Sequence, residues 1–174
     1  PYNADFDGYE MTLHVPQSQA SIAGFASIMM VRKQIISPQA NRPVVGIVQD
    51  TLLGSHLMSN SDTFLTRKQA CHIIALLKHT KKYLPEPVLI KPVEMWTGKQ
   101  IISLLFPNTF LLGEKSNSTS PNDNTKLYIS RGQIMTGYLS KSSMGSAAGG
   151  VVDILYRDFG SSITVNWMSD AQRL

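Results

Sequence analysis

The chain has 174 residues and a net charge of +4, with 16 Lys and Arg against 12 Asp and Glu. This length predicts one domain or at most two. Charged residues make up 16% of the chain and hydrophobic residues 43%, a balance that excludes wholesale disorder. The single cysteine, Cys71, excludes an internal disulfide and a cysteine-based zinc site. No apolar run reaches the roughly 18 residues of a transmembrane helix, so we expect no membrane partner.

The first third of the chain contains two helix signals between less regular stretches. Residues 12–15 alternate in polarity, which predicts a short strand. Apolar residues at helical spacing predict a helix over 18–31, with Ser18 as its N-cap. Proline and asparagine predict a loop over 37–43, after which Asp50 is expected to cap a short helix.

Two capping boxes mark the most strongly predicted helices. Thr66 pairs with Gln69, and Thr97 pairs with Gln100, each at the three-residue spacing that lets side chain and backbone cap one another. We expect the first helix to cover 66–78 and the second to be shorter, because a proline follows it.

Strand signals dominate the region that follows. Segments 126–130 and 133–139 flank Arg131 and Gly132, a pair that predicts a hairpin turn. The stretch 116–124 contains no apolar residue and is predicted to be a mobile surface loop. Residues 88–90 are a further short strand candidate.

The last thirty residues combine a glycine-rich loop with two predicted elements. Small residues fill 145–150, alternation predicts a strand over 151–158, and 162–174 is expected to begin a helix. Helices and strands are therefore mixed without regular β-α-β alternation, which predicts an α+β fold.

An acidic loop near the start carries the most obvious chemistry. Asp5 and Asp7 lie two residues apart beside Gly8, so both carboxylates can converge on one hard cation such as Mg²⁺. The same spacing also suits a solvated turn, which is the commoner structure for such a sequence. An EF-hand is excluded, because its sixth and twelfth positions, counted from Asp5, hold Glu10 and Pro16.

The acidic loop and the residues around it also match a known motif as one continuous sequence. Residues 1–17 are PYNADFDGYEMTLHVPQ, which closely resembles the catalytic motif of the largest subunit of multisubunit DNA-directed RNA polymerases, NADFDGD in that family. Further blocks follow in the family's order over essentially the whole chain. They are ISPQ at 36–39, GIVQDTLLG at 46–54, IKP at 90–92, WTGKQI at 96–101 and GSAAGG at 145–150. The sequence is more similar to the eukaryotic and large-DNA-virus versions than to the bacterial ones.

The resemblance implies a division of the α+β fold into three parts. Residues 1–17 would be the tail of the active-site double-psi β-barrel, which is the catalytic loop domain. Residues 18–160 would form the pore domain, which lies under the active centre in this family. Residues 161–174 would begin the connection to the funnel region.

The resemblance also assigns roles to individual residues. Asp5 and Asp7 match the first two catalytic, metal-binding aspartates of the family, and Asn3 matches the residue that reads the sugar hydroxyls of the incoming nucleotide. Tyr9 occupies the position of the third aspartate. A neutral phenol is a poor Mg²⁺ ligand, so we expect the metal to be held weakly and the isolated chain to be inactive.

The expected partners and location follow from the same family. They are the other polymerase subunits, especially the second-largest, with template DNA, transcript RNA and nucleoside triphosphates, and transcript-cleavage factors at the pore. The expected location is the nucleus for a cellular protein and the host cytoplasm or the virion for a viral one.

Two other functions remain open from the sequence. Tyr9 suits a non-catalytic structural or interaction module of a polymerase-like complex, in which the acidic loop is vestigial. A free-standing metal-dependent phosphotransferase would need a third ligand, and Glu10 is expected to point away from Asp5 and Asp7 in an extended loop.

The remaining reactive side chains have structural interpretations. His72 and His79 are expected on the surface of one helix, and Cys71 is expected to be a small buried residue. His14 is expected to be a polar residue at a strand end. Lys99 lies in the first turn of its helix, where a cation is electrostatically unfavourable, and this position hints at an anionic partner.

Overall fold

The computed structural model describes residues 2, 7–80, 83–113 and 126–174, and their mixture of helices and strands fits the predicted α+β class. Its α-helices are α1 (Gln19–Gly24), α2 (Gln49–Met58), α3 (Arg67–Leu76), α4 (Gly98–Ser103), α5 (Lys141–Met144) and α6 (Val151–Ala171). Its strands are β1 (Ile36–Ser37), β2 (Arg42–Pro43), β3 (Phe64–Thr66), β4 (Met95–Thr97), β5 (Leu112–Gly113), β6 (Tyr128–Ser130) and β7 (Gln133–Thr136). None of the described helices is long and apolar enough to cross a membrane.

The strands form three small antiparallel sheets. Strands β1 and β2 pair with Ile36 opposite Pro43, and β3 pairs with β4 with Leu65 opposite Trp96. Strand β6 lies between β5 and β7 in the third sheet. The predicted strand at 88–90 is reduced to a single bridge between Leu89 and Met95.

The first predicted helix begins as expected and ends differently. The Ser18 hydroxyl accepts a hydrogen bond from the Ser21 amide, which confirms the N-cap. After α1 the chain forms a π-helical turn over Phe25–Met29, and the ψ angle of 132° at Met30 stops it. The strand predicted at 12–15 is wrong, because these residues have no strand partner in the structure.

Two further predictions, for residues 37–43 and for the helix that follows them, are corrected. Residues predicted as a loop over 37–43 include the hairpin of β1 and β2. Helix α2 begins at Gln49 with Val48 at the cap position, so Asp50 is not the cap. Asp50 lies in the first turn instead, where its charge still favours the positive end of the helix dipole.

Both capping boxes are confirmed. The Thr66 and Thr97 hydroxyls accept from the amides of Gln69 and Gln100, and each glutamine side chain accepts from the threonine amide. Helix α3 ends at Leu76, two residues before the predicted limit. Because β3 and β4 pair directly before α3 and α4, the two capped helices start side by side.

The hairpin turn between β6 and β7 is also confirmed. Arg131 and Gly132 have φ angles of 51° and 74°, the left-handed conformation of a tight hairpin connection. A side chain at Gly132 would bring its Cβ within 2.5 Å of the Pro107 carbonyl oxygen, so the turn needs glycine for space as well. The predicted mobile loop at 116–124 lies outside the described residues.

The strand predicted over 151–158 is wrong, because this segment is the first half of α6. Val151, Val152 and Leu155 are buried, and their i, i+1, i+4 spacing places them on one side of a helix. At Gly160 the φ angle of 82° breaks the helical geometry, and the predicted C-terminal helix is the second half of α6. The loop predicted at 145–150 is confirmed.

Two clusters of buried side chains form the core. The larger cluster joins α6 to the β6–β7 hairpin and includes Phe110, Ile129 and Leu155. The smaller one packs around Trp96 and Ile101. Partly buried Met58 and Leu174 contact both clusters, so the described body is continuous from 35 to 174 apart from the gaps in the description.

Candidate functional site

The acidic loop is only partly within the described residues. Asn3 and Asp5 lie outside them, whereas Asp7 and Gly8 form a turn in which Gly8 has a φ angle of 103°. Asp7 is exposed, and Tyr9 is 60% exposed. The described part of the chain contains no group of three His, Cys, Asp or Glu side chains that would hold a metal ion.

The donor set of the acidic loop fits a magnesium ion only in part. The glycine turn leaves the Asp7 carboxylate accessible to solvent, which suits a hard cation that keeps several water ligands. Tyr9, which the motif resemblance places at the position of the third aspartate, is the wrong chemical type for this ion, since Mg²⁺ prefers charged carboxylate oxygens to a neutral phenol.

A second feature, which the sequence did not reveal, is a cleft in the body. It has a volume of about 580 Å³ and opens between α4, the β6–β7 turn, the segment 106–109 and the second half of α6. We refer to it as the cationic cleft, because Lys99 and Arg131 are among its lining residues.

Ser103 ties the helix that carries Lys99 to the hairpin that carries Arg131. Its hydroxyl donates to the Lys99 carbonyl at 2.6 Å and accepts from the Ile134 amide at 3.0 Å. One side chain therefore fixes α4 against β7 and sets the two cations on neighbouring walls of the cleft.

The Arg131–Gly132 turn is held from its other side. The Gly132 amide donates to the Phe110 carbonyl at 2.9 Å, and the missing Cβ lets the turn approach Pro107 closely. The backbone around Arg131 is therefore anchored, while the arginine side chain is exposed.

Asp170 fixes another part of the cleft lining. Its buried carboxylate accepts from the Lys78 and His79 amides at 2.9 Å and from the Thr80 hydroxyl at 2.8 Å. Arg173 adds an ion pair at 3.5 Å. Burial alone would raise the pKa of Asp170, but the hydrogen bonds from Lys78, Thr80 and His79 outweigh it, and the pKa is lowered.

The cations of the cleft lack carboxylate partners among the described residues. The ion pairs of the described chain use Arg67, Arg157 and Arg173, and neither Lys99 nor Arg131 takes part in one. Burial lowers the pKa of Lys99, since its ammonium group is partly removed from water. Uncompensated positive charge in a concave surface attracts anions.

The other candidate side chains are placed as follows. His72 and His79 are exposed, although His79 lies beyond the end of α3, at the cleft. Cys71 is exposed, so its predicted burial is wrong, because α3 turns that side away from Ala70 and Ile74. His14 lies near Phe25, with 6.3 Å between the ring centroids.

Comparison with known proteins places the chain in a family. The family model "RNA polymerase Rpb1, domain 3" matches residues 34–174, and "RNA polymerase Rpb1, domain 2" matches residues 1–31. Two curated relatives are the DNA-directed RNA polymerase II subunits RPB1-B and RPB1-A of Trypanosoma brucei brucei. Each is 39% identical over 175 aligned positions, which cover 100% of this chain and 10% of the relative.

The chain belongs to the family of RNA polymerase largest subunits, as the match over 34–174 and the identity over its whole length show. The resemblance found in the motifs is thereby confirmed. The chain spans about one tenth of the length of these relatives.

Proposed function

We propose that this chain supplies the catalytic loop and the pore region of a DNA-directed RNA polymerase. The carrying observation is the NADFDG string at 3–8, which lies inside the match to Rpb1 domain 2. In this proposal residues 1–17 end the double-psi barrel, 18–160 form the pore domain and 161–174 lead towards the funnel. The break of helical geometry at Gly160 supports the boundary at 160, whereas the buried residues of the body begin only at residue 35.

Asp5 and Asp7 are the residues that would hold Mg²⁺ in the assembled enzyme, and Asn3 would contact the sugar of the incoming nucleotide. When bound, the ion supplies charge neutralisation and a more acidic attacking hydroxyl for nucleotidyl transfer. The chain's own contribution is positioning: the Gly8 turn presents the Asp7 carboxylate to solvent, where a metal–phosphate complex can reach it.

Tyr9 is proposed to weaken this site to the point of inactivity. Replacing one of three carboxylates by a neutral phenol removes both a ligand and a negative charge. The Tyr9 side chain is 60% exposed, so it is not part of the buried core.

The partners and the location are proposed from the family. The names of the Trypanosoma relatives, which are RNA polymerase II subunits, support assembly with other polymerase subunits. The second-largest subunit, template DNA, transcript RNA and nucleoside triphosphates are proposed from the motif resemblance alone. Transcript-cleavage factors would act at the pore. A nuclear location follows for a cellular source, and the host cytoplasm or the virion for a viral one.

The test is nucleotide addition by an assembled polymerase whose largest subunit carries this chain. We expect Tyr9→Asp to raise the Mg²⁺-dependent rate by roughly 10²-fold, a magnitude typical of restoring one electrostatic catalytic group. Tyr9→Asn is the matched control, because it has the size of aspartate without its charge. Equal rates for the wild-type chain and Tyr9→Asp would contradict the proposal.

Tyr9 itself favours a second candidate, a non-catalytic module of a polymerase-like complex. In that case Tyr9→Asp would leave the rate at background, and Asp7→Asn would leave the assembly and its stability unchanged. A free-standing phosphotransferase gains no support, since the described residues offer no third acidic ligand near Asp7.

A further inference from the structure

The cationic cleft is distinct from the acidic loop and has its own chemistry. Its walls combine Lys99 and Arg131 with the amide side chains of Gln133 and Asn108, all of which can donate hydrogen bonds. Its volume of about 580 Å³ lies within the range of small-molecule sites.

We propose that the cationic cleft binds the oligophosphate group of a small anion, with Lys99 and Arg131 as its charged contacts. The two cations belong to different elements, and Ser103 fixes these elements to each other through its bonds to Lys99 and Ile134. Such a pre-arranged pair binds a multivalent anion without the loss of conformational entropy that ordering its backbone would require.

The charge balance of the cleft favours an anion over a cation. Asp170 is the acidic residue among those that line the cleft, and its oxygens already accept from Lys78, His79 and Thr80. Arg173 also pairs with it. The carboxylate is therefore neither free to bind a cation nor available to neutralise Lys99 or Arg131.

The partial burial of Lys99 explains why a phosphate group suits the cleft. A desolvated ammonium without a carboxylate partner among the described residues is destabilised, as the lowered pKa of Lys99 indicates. A phosphate oxygen would replace the lost water, and the planar guanidinium of Arg131 can hold two oxygens at once.

The test is a calorimetric titration of the 174-residue chain with inorganic tripolyphosphate in metal-free buffer, which keeps the acidic loop out of the measurement. We expect Lys99→Gln and Arg131→Gln each to raise the Kd by about tenfold or more, and Lys99→Arg to restore most of the affinity. Lys68→Gln and Arg32→Gln are the matched controls, because they remove exposed charges outside the cleft. We expect them to change the Kd by less than about twofold.

A spectroscopic readout locates the bound anion. The chain has 2 tryptophans. Trp167 is among the lining residues of the cleft, whereas the indole N–H of Trp96 donates to the Pro85 carbonyl at 2.7 Å. We expect tripolyphosphate to shift the Trp167 indole signal more than that of Trp96.

Comparison of ligands identifies the source of the phosphate. Equal affinity for tripolyphosphate and a nucleoside triphosphate would support a site for phosphate alone, and tighter binding of the nucleotide would support a phosphate site with a nucleoside contact. Tighter binding of an acidic peptide, absence of tripolyphosphate binding, or equal losses in all four glutamine variants would overturn the proposal. None of these outcomes depends on Tyr9 or on polymerase activity.

Discussion

The N-terminal segment (residues 7–34) and the body (the described residues from 35 to 174) are built in opposite ways. No described residue of the N-terminal segment is buried, although it carries Ile22, Phe25 and Ile28. The body buries a continuous core of aliphatic and aromatic side chains. Asp7, to which the motif resemblance assigns metal binding, thus belongs to a segment without buried residues, whereas the cationic cleft lies in the body.

The largest expected difference in stability is between variants of a phenylalanine in the body and one in the N-terminal segment. Phe110 is 0% exposed in the core, whereas Phe25 is 37% exposed. We expect Phe110→Ala to lower the free energy of unfolding by about 3–5 kcal/mol, because it leaves a cavity. Phe25→Ala should cost less than about 1 kcal/mol. Urea denaturation of both variants checks this, and similar losses would show that the N-terminal segment is part of the cooperative core.

The next largest effect concerns the buried carboxylate of the body. We expect Asp170→Asn to cost about 2–4 kcal/mol, because an amide cannot accept from the Lys78 and His79 amides and the Thr80 hydroxyl as the carboxylate does. Asp50→Asn, in the first turn of α2, is the control and should cost less than about 1 kcal/mol.

Asp170 also sets a pH dependence of definite sign. Its pKa is lowered in the folded state, so the unfolded chain binds the proton more tightly. The stabilisation is complete above the unfolded aspartate pKa of about 3.9 and is lost as the pH falls through the lower folded pKa. Denaturation at several acidic pH values should show the wild-type chain converging on Asp170→Asn, and a constant difference would contradict this origin.

Replacing two glycines of the body by alanine should change the stability in opposite directions. Gly132→Ala should cost about 1–3 kcal/mol, because the φ angle is 74° and the new Cβ would lie 2.5 Å from the Pro107 carbonyl oxygen. Gly54→Ala, within α2 and with no atom near the added Cβ, should stabilise the chain by about 0.5–1 kcal/mol. Thermal unfolding of both variants checks the signs, and a stabilising Gly132→Ala would contradict the tight turn.

The smallest expected changes in stability come from removing the N-cap side chain of one helix in each region. Thr66→Ala removes the cap of α3 and should cost about 1 kcal/mol, because α3 packs Ala70 and Ile74 into the core. Ser18→Ala removes the cap of α1, which buries no residue, and should change the global stability by less than about 0.3 kcal/mol. Equal losses in urea denaturation would mean that α1 unfolds together with the body.

The sequence correctly predicted those elements whose conformation depends mainly on residues that are close in the sequence. The capping boxes at Thr66 and Thr97 are fixed by neighbours within three residues, and the Arg131–Gly132 turn joins two strands that are adjacent in the sequence; all were predicted. The valine-rich start of α6 was predicted as a strand, because its spacing suits both structures and only packing against the hairpin decides.

The two candidate sites also differ in how far apart their residues lie in the sequence. The acidic loop was found from one continuous string, whereas the cationic cleft joins residues from α4, the β6–β7 turn and α6, which are distant in the sequence. The position of Lys99 was the one signal of the cleft, since a cation in a first helical turn hinted at an anion. Arg131 and Asp170 gave no such signal before the fold brought them together.

The most direct test of the proposed function is the Mn²⁺ affinity of an assembled polymerase that carries this chain, measured by electron paramagnetic resonance without nucleotide. The account predicts that Tyr9→Asp binds one Mn²⁺ about tenfold or more tightly than the wild-type chain, and that Tyr9→Asn does not. Equal affinities of all three proteins would contradict the assignment of Tyr9 as the missing ligand of the Asp5 and Asp7 site.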